Sequence, residues 1–508
     1  MKRNDAVSAR PVAGTLRRMA ALTALTLTLS ASSCGFIVWS DPDADAPGTT
    51  SRDSTEPVSE NGTSESSSAP RETTAKIDYR EEADKRLDSL PDRDLSASSV
   101  IIATSDAETI CPDEAVDAVS TARVLAKRAV EEKYNTHIIA DAVDASEMLR
   151  NAKEAYAADM YYADLLAIPQ NMLGAFYSGG ILANMNSLPY ADYTQDYYDD
   201  RLISEAILGN ELRAVSGAAN FNPEYLSCIY FNRDMIEELA LEDPYELVYT
   251  GKWTWDKFGE LAKAAAGING VSGHGSELGN ADYIDAAATA MKIDYVNNPE
   301  GKLPTVVTLA DDSHAARAKG IVDKLYKLFY SDGSLAPSKS SARELFLNDS
   351  LLFYTDRLYI TTWIPDIDIR WGLLPLPKYD ESQNGYQSLL SADAPIFCAL
   401  SNTTNYETSG LILEALNASC YEYVQDTYMN ERINYYLRDN DSINMLEIIV
   451  NGATTDFAHM FASGFPSLAN ATYSAVYNAV TTRSTLEALV KSYQSAANNE
   501  LSGIKMYG

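Results

Sequence analysis

The side chains best placed to do chemistry suit the capture of a small polar ligand. Asp164, Gln170 and Asn171 fall at the end of a β-type run and at the helix start that follows it. Asn220 lies in a small-residue stretch, and Glu277 and Tyr283 come after a strongly capped helix. Tyr354, Arg357 and Trp363 follow a later apolar strand. Carboxylate, amide and guanidinium groups hydrogen-bond to hydroxyls, and an indole offers a face for stacking. Trp363, in the loop Thr361-Thr362-Trp363-Ile364-Pro365, is the leading stacking residue, while Arg357 either meets a ligand or pairs with Asp356.

Catalytic and metal chemistry find less support. His137, His274, His314 and His459 are scattered, and Cys111, Cys228, Cys398 and Cys420 show no Cys-x-x-Cys spacing, so no zinc, redox or cofactor motif is present. Four buried free thiols are expected, with a disulfide left open. Gly273-His274-Gly275-Ser276-Glu277-Leu278-Gly279 misses the dinucleotide fingerprint, because its third glycine falls one residue late. Gly270-Val271-Ser272-Gly273-His274 lacks the final glycine of a nucleophile elbow. Asp41-x-Asp43-x-Asp45 lacks the glycine and later glutamate of a calcium loop. With 72 acidic residues, some pair at glycosidase spacing is inevitable, so counting them decides nothing.

Strands alternating with helices must position these groups. Ser99–Thr104 is a β run, a helix begins at Asp113, and strand His137–Ala140, helix Ala145–Ala157 and strand Met160–Ala167 follow. That alternation predicts a parallel sheet covered on both faces, with ligands at the carboxyl ends of its strands. A second block begins at Ile229–Asn232 and continues into a helix led by Met235, Ile236 and Leu239, stopped at Leu241-Glu242-Asp243-Pro244. Thr254 caps the next helix, with Trp253 and Phe258 as a hydrophobic staple across it, so Trp253 and Trp255 read as structural. Gly267–Gly279 reads as a loop and Ala315–Tyr330 as an amphipathic helix. Small residues at Ser216–Asn220 suggest one crossing between the blocks, and Tyr386–Ala392 a second.

The first residues read as a targeting segment. Lys2, Arg3, Arg10, Arg17 and Arg18 precede the apolar stretch Met19–Ala31, and Ala31-Ser32-Ser33 leads into Cys34. The stretch is too short for a permanent span. It resembles a bacterial lipoprotein signal, with Ala31 where leucine is more usual, and implies that Cys34 becomes an acylated N-terminus. From Asp41 to about Arg93 the chain is Ser, Thr, Glu, Asp and Pro, a composition that cannot offset its ordering entropy. As a flexible coil of about 55 residues it would span on the order of 40 Å. A net charge of −32 argues against nucleic acid as a partner.

Asn232-Arg233-Asp234, Leu241-Glu242-Asp243-Pro244 and Gly251-Lys252-Trp253-Thr254-Trp255-Asp256 occur in that order. Gly180-Ile181-Leu182-Ala183-Asn184-Met185 precedes them. Phe346-Leu347-Asn348-Asp349, Gly372-Leu373-Leu374-Pro375-Leu376-Pro377-Lys378 with Gln383, and Arg438-Asp439 with Ser442–Ile449 follow. This ordered set resembles the family 1 extracellular solute-binding proteins over roughly residues 96–500. Met185 stands where the family has leucine and Asp349 where it has glycine.

The resemblance implies an α/β, two-lobed periplasmic-binding-protein-like fold of type II, preceded by a signal peptide and a disordered linker. Residues 1–33 would be the signal and 34–95 the tether. Residues 96–215 with 386–430 would form lobe one, and 216–385 with 431–508 lobe two. It further implies that Asp164 touches the ligand, that the ligand is a sugar, and that the monomeric receptor serves an importer permease. The location would be the outer face of the cell membrane in a Gram-positive bacterium. A surface glycosidase and a non-transport adhesin or signalling receptor are the alternative readings.

Overall fold

The computed structural model describes residues 79–508 apart from 300, 338, 359–368, 432–438 and 505–508. Cys34, Trp363 and Arg438 lie outside the described residues. The described chain starts with helix α1 (Tyr79–Asp88), followed by β1 (Ser98–Thr104), α2 (Ala118–Tyr134), β2 (Thr136–Ala142), α3 (Ala145–Ala157) and β3 (Leu165–Pro169). β1 lies between β2 and β3 and runs parallel to both, with Ile101 opposite Ile139 and Ile102 opposite Leu165. Local chemistry sets the boundaries. Asp117 accepts from the Ser120 amide at 2.7 Å while the Ser120 hydroxyl accepts from the Asp117 amide at 2.9 Å, a reciprocal cap on α2. The helix then ends at Asn135, whose φ is +46°.

Helices α4 (Leu173–Ser178) and α5 (Asp200–Glu205) and the hairpin β4 (Ile207–Leu208) and β5 (Glu211–Leu212) complete this stretch of the first lobe. The second lobe opens with β6 (Ser227–Asn232), α6 (Arg233–Glu238), α7 (Pro244–Tyr249), α8 (Trp255–Ala265), β7 (Ser272–Ser276) and α9 (Asn280–Ala290). It continues through β8 (Val296–Asn297), β9 (Thr305–Val306), α10 (Asp312–Tyr326), α11 (Ala342–Leu347), β10 (Leu351–Arg357) and β11 (Trp371–Leu374). Its sheet has the order β11-β6-β10-β7. The expected staple is in place: Thr254 accepts from the Lys257 amide, and the Trp253 ring meets Phe258 edge-on at 5.9 Å. Both Trp253 and Trp255 are buried, and the Trp253 indole donates to the Pro375 carbonyl at 2.9 Å.

The chain returns through β12 (Ser388–Leu389) and β13 (Pro395–Cys398), which joins β3 antiparallel to give the first sheet the order β13-β3-β1-β2. Helices α12 (Tyr406–Cys420) and α13 (Asp426–Glu431) cover that lobe. α14 (Asn440–Asn451) packs on β11 of the other, and β14 (Ala453–Thr454) passes back beside β12. α15 (Phe457–Phe461) then leans on α4, and α16 (Pro466–Ala471), α17 (Tyr473–Thr482) and α18 (Leu486–Ser502) close the chain. Leu226 pairs with Leu390, and Ser388–Leu389 with Ala453–Thr454, so three passages between the lobes lie side by side.

Several expectations change. α1 belongs to the folded body and not to the tether, because Ala83 and Leu87 are buried and Arg86 bonds Asp196 at 2.8 Å and Glu422 at 3.0 Å. Two apolar residues four apart in a charged run were too faint a signal. Ser216–Asn220 is not a crossing. Val215 and Phe397 exchange backbone hydrogen bonds of 2.9 Å in each direction, which holds this segment on the first sheet, and the passage runs through 221–226. Within 431–508, assigned entirely to lobe two, α15 packs instead on α4 of lobe one.

The glycine-rich stretch 272–276 is a strand and not a loop. A Cβ on Gly273 would lie 2.2 Å from the Ala262 carbonyl oxygen, so glycine is there to let α8 approach β7. Asp349, where the resemblance implied a glycine, adopts φ +56°, and Asn232 donates to its carboxylate at 2.6 Å. The left-handed turn is thus kept despite the side chain. Cys111, Cys228, Cys398 and Cys420 are free and buried as expected. We expect Gly273→Ala to cost about 1–3 kcal/mol through overpacking against backbone, measured as a lowered denaturant midpoint.

Candidate functional site

A cleft of about 680 Å³ opens where the lobes meet. One wall is the loop between the carboxyl end of β1 and α2, from Asp106 to Asp117. The other is built from Asn222, Glu224 and Tyr225 in the first passage, Arg357 at the carboxyl end of β10, and Asp393 beyond the second passage. Strand ends face outward from a covered sheet, so backbone groups and loop side chains meet there without burying the sheet itself.

Hydrogen bonds fix both walls. Tyr225 donates to Asp106 at 2.8 Å, and Asn222 donates to the Thr109 hydroxyl at 3.1 Å. Arg123 reaches from α2 beneath the loop and donates to the carbonyls of Thr109 at 2.9 Å, Ala219 at 3.3 Å and Phe221 at 2.5 Å. That buried guanidinium ties the β1 loop to the first passage, and burial lowers its pKa from the usual arginine range. Burial, with Asp106 alongside, pushes the Tyr225 phenol up. Across the cleft Arg357 bonds Asp393 at 3.0 Å, and Asp393 also accepts from the Ser391 hydroxyl at 2.5 Å.

The lining is acidic. Asp106, Glu108, Asp113, Glu114 and Asp117 stand on one loop, with Glu224 and Asp393 opposite, against the guanidiniums of Arg123 and Arg357. Such a cleft repels anions, and its carboxylates can accept hydrogen bonds from hydroxyl groups. Among the described residues no group of three or more His, Cys, Asp or Glu side chains is arranged to hold a metal ion.

Of the residues nominated from the sequence, Arg357 lines this cleft, and most of the others have polar atoms engaged elsewhere. Asp164 is at the amino end of β3, because 160–164 are not strand. Its buried carboxylate accepts from the Ile101 amide at 2.9 Å, Tyr161 at 2.7 Å and Asn405 at 3.0 Å. Gln170 is buried beneath the passages and donates to the carbonyls of Leu390 at 2.8 Å and Ser391 at 2.7 Å, while accepting from Thr455 at 2.8 Å. Asn171 is exposed, and its amide donates to the Ala392 carbonyl at 3.1 Å.

Asn220 is buried, accepts from the Gly217 amide at 2.8 Å and donates to the Pro395 carbonyl at 2.7 Å. Glu277 accepts from Ser341 at 2.6 Å and the Arg343 amide at 3.0 Å at the start of α11. Tyr283 lies in the second core beside His274 and Thr355. Tyr354 donates to Asp356 at 2.5 Å while its ring stacks on Phe346. Asp106, Tyr225 and Asp393 were missed. The crevice rule applied to the third strand would have found Asp106 had it been applied to the first.

No family model matches the chain, and no curated protein matches it in sequence. Solved structures do. The cyclic alpha-maltosyl-1,6-maltose binding protein of Arthrobacter globiformis superposes with a TM-score of 0.54 at 13% identity, covering 80% of this chain and 99% of that one. The galacto-N-biose-/lacto-N-biose I-binding protein of the ABC transporter from Bifidobacterium longum gives 0.54 at 13%, covering 81% and 99%. A family 1 extracellular solute-binding protein from Bifidobacterium longum subsp. infantis gives 0.54 at 10%, covering 79% and 99%. The fold is that of the two-lobed extracellular solute-binding proteins. In the solute-binding fold of this chain, Gln170 is a pin between the first sheet and two of the passages. Gln170→Ala removes one partner from two half-buried carbonyls and from the buried Thr455 hydroxyl, the Ser391 carbonyl keeping the Ala394 amide at 3.0 Å, and should cost about 1–3 kcal/mol, read from chemical unfolding.

Proposed function

We propose that this protein is an extracellular receptor that captures a small sugar between its lobes and hands it to the permease of an ABC importer, held on the outer face of the membrane through an acylated Cys34. The observation that carries the reading is the cleft itself. It lies at the carboxyl end of β1 and is faced from the second lobe by Arg357, so one ligand can touch both lobes. Only contacts made on both sides allow a ligand to favour the closed arrangement. The neighbours named above are binding proteins by their own descriptions, which supports capture over catalysis. The acidic lining favours a neutral sugar over a sulfated or uronic one.

A thermal-shift screen of mono- and oligosaccharides, amino acids and peptides tests the reading. A true ligand at 100 times its dissociation constant adds about 2.7 kcal/mol of stability. Arg357→Ala should then weaken that ligand by about 1.5–3 kcal/mol, the range for a hydrogen bond to a charged group, with the free protein's melting temperature nearly unchanged. Absence of any sugar shift, or an unchanged affinity in Arg357→Ala, would overturn the assignment. The anchor is tested separately: Cys34→Ser protein should leave the membrane fraction for the medium or soluble fraction, and persistent membrane association would refute acylation at Cys34.

A further inference from the structure

Away from the cleft, beside the third passage, lies a buried group of titratable side chains that the capture of a ligand does not use. α15 leaves that passage at Asp456 and rests on α4 and the turn 170–172 of lobe one. Phe457 and Phe461 are fully buried and stack on each other at 4.4 Å, and the Phe457 amide donates to Glu205 of α5 at 2.9 Å. From this same short helix the ring of His459 turns to lobe two, where its Nε2 lies 2.7 Å from the Asp285 carboxylate on α9. Tyr473 of α17 stacks on the imidazole at 5.4 Å, and Tyr295 meets it edge-on at 5.9 Å. The His459 side chain is 10% exposed and that of Asp285 17%.

We propose that α15 is a proton-dependent latch between the lobes, fastened to lobe one by its phenylalanines and to lobe two by the ion pair of His459 with Asp285. Rotation of one lobe on the other must stretch that pair or drag α15 off α4. The groups facing His459 are Asp285 from α9, Tyr295 ahead of β8, Tyr473 from α17, Glu205 from α5 and Asp456 at its own helix start, with Asp294 adding to the field.

Their titration runs in one direction. Burial works against the imidazolium, but Asp285, Asp456 and Glu205 hold its pKa up at about 9. Burial, reinforced by Asp456, raises Glu205 to about 8, and burial opposed by His459 raises Asp456 to about 6. Each group binds its proton more tightly folded than unfolded. Its contribution is therefore complete below its ordinary pKa and is lost as pH rises through the folded value. Between pH of about 6 and 9 the cluster gains carboxylate charge and finally loses its cation, leaving Glu205, Asp456 and Asp285 to repel one another.

The latch does not depend on what the cleft binds, so its test needs no ligand. The full chain carrying Cys34→Ser is labelled at Glu154→Cys on α3 and Lys263→Cys on α8, both exposed positions on different lobes. The native thiols of the folded body are buried and stay unlabelled. Single-molecule energy transfer from pH 6 to 9.5 should show the interlobe distance shift or broaden with a midpoint between about 8 and 9. His459→Gln, which keeps a hydrogen-bond donor but cannot carry charge, should abolish that dependence. Asp285→Asn should do the same and serves if the first variant does not fold. A distance distribution that is unchanged over this range in the chain with His459 and Asp285 intact, or an identical pH response in either folded variant, overturns the proposal.

Discussion

Two covered sheets can share one chain only if the segments passing between them have their backbone groups satisfied, and here one amide side chain does much of that. Gln170, itself fully buried, leaves the end of β3 and reaches half-buried carbonyls on the second passage and a buried hydroxyl beside the third. Its own backbone amide donates to the Ala394 carbonyl at 2.9 Å. A buried polar group left unmet costs about 1–3 kcal/mol, and both the Gln170 amide and the Thr455 hydroxyl are buried, so the junction tolerates little rearrangement at this point. The passages pair with one another as short β segments on the far side of the pin. Rotation of one lobe on the other would have to bend that narrow ribbon.

The same constraint explains why the cleft and the His459 cluster lie apart. The first passage, through Asn222 and Tyr225, is bonded to the β1 loop and forms a cleft wall. The third passage leads into α15 and the buried ion pair. Arg123 shows how the cleft wall is held: a cation taken out of water is tolerated when its donors are spent on carbonyls, and those of Thr109 and Phe221 belong to the loop and the passage that border the cleft. The acidic residues around it are mostly on the solvent side of the loop, where water screens them. The charge therefore governs which molecules approach more than it stabilises the fold.

Local chemistry was legible in the residues. Thr254 as a cap, Trp253 with Phe258 as a staple, and the alternation of strand and helix all follow from interactions within a few positions, and all are present. So was the fold class, because ordered short motifs constrain a chain strongly even when overall identity to solved structures is 10–14%. The glycine strand was not, since Ser272–Ser276 has no β-forming side chains and is a strand only because β10 and α8 press on it. Nor was α1, whose order comes from α12 and from pairs with residues more than a hundred positions away.

The site divides along the same line. The chain by itself determined that a carboxylate or amide would stand wherever a strand turns into a helix, because those turns need caps and polar loops. Which of these turns opens on the cleft was decided by tertiary structure alone. Asp164 and Asp106 are both aspartates beside parallel strands, but one sits at the amino end of β3 and is consumed by Ile101, Tyr161 and Asn405. The other follows the carboxyl end of β1 and meets Tyr225 from the first passage. The difference is the direction in which a strand is read once it is paired. Pairing joins residues more than sixty positions apart, beyond the reach of any local pattern.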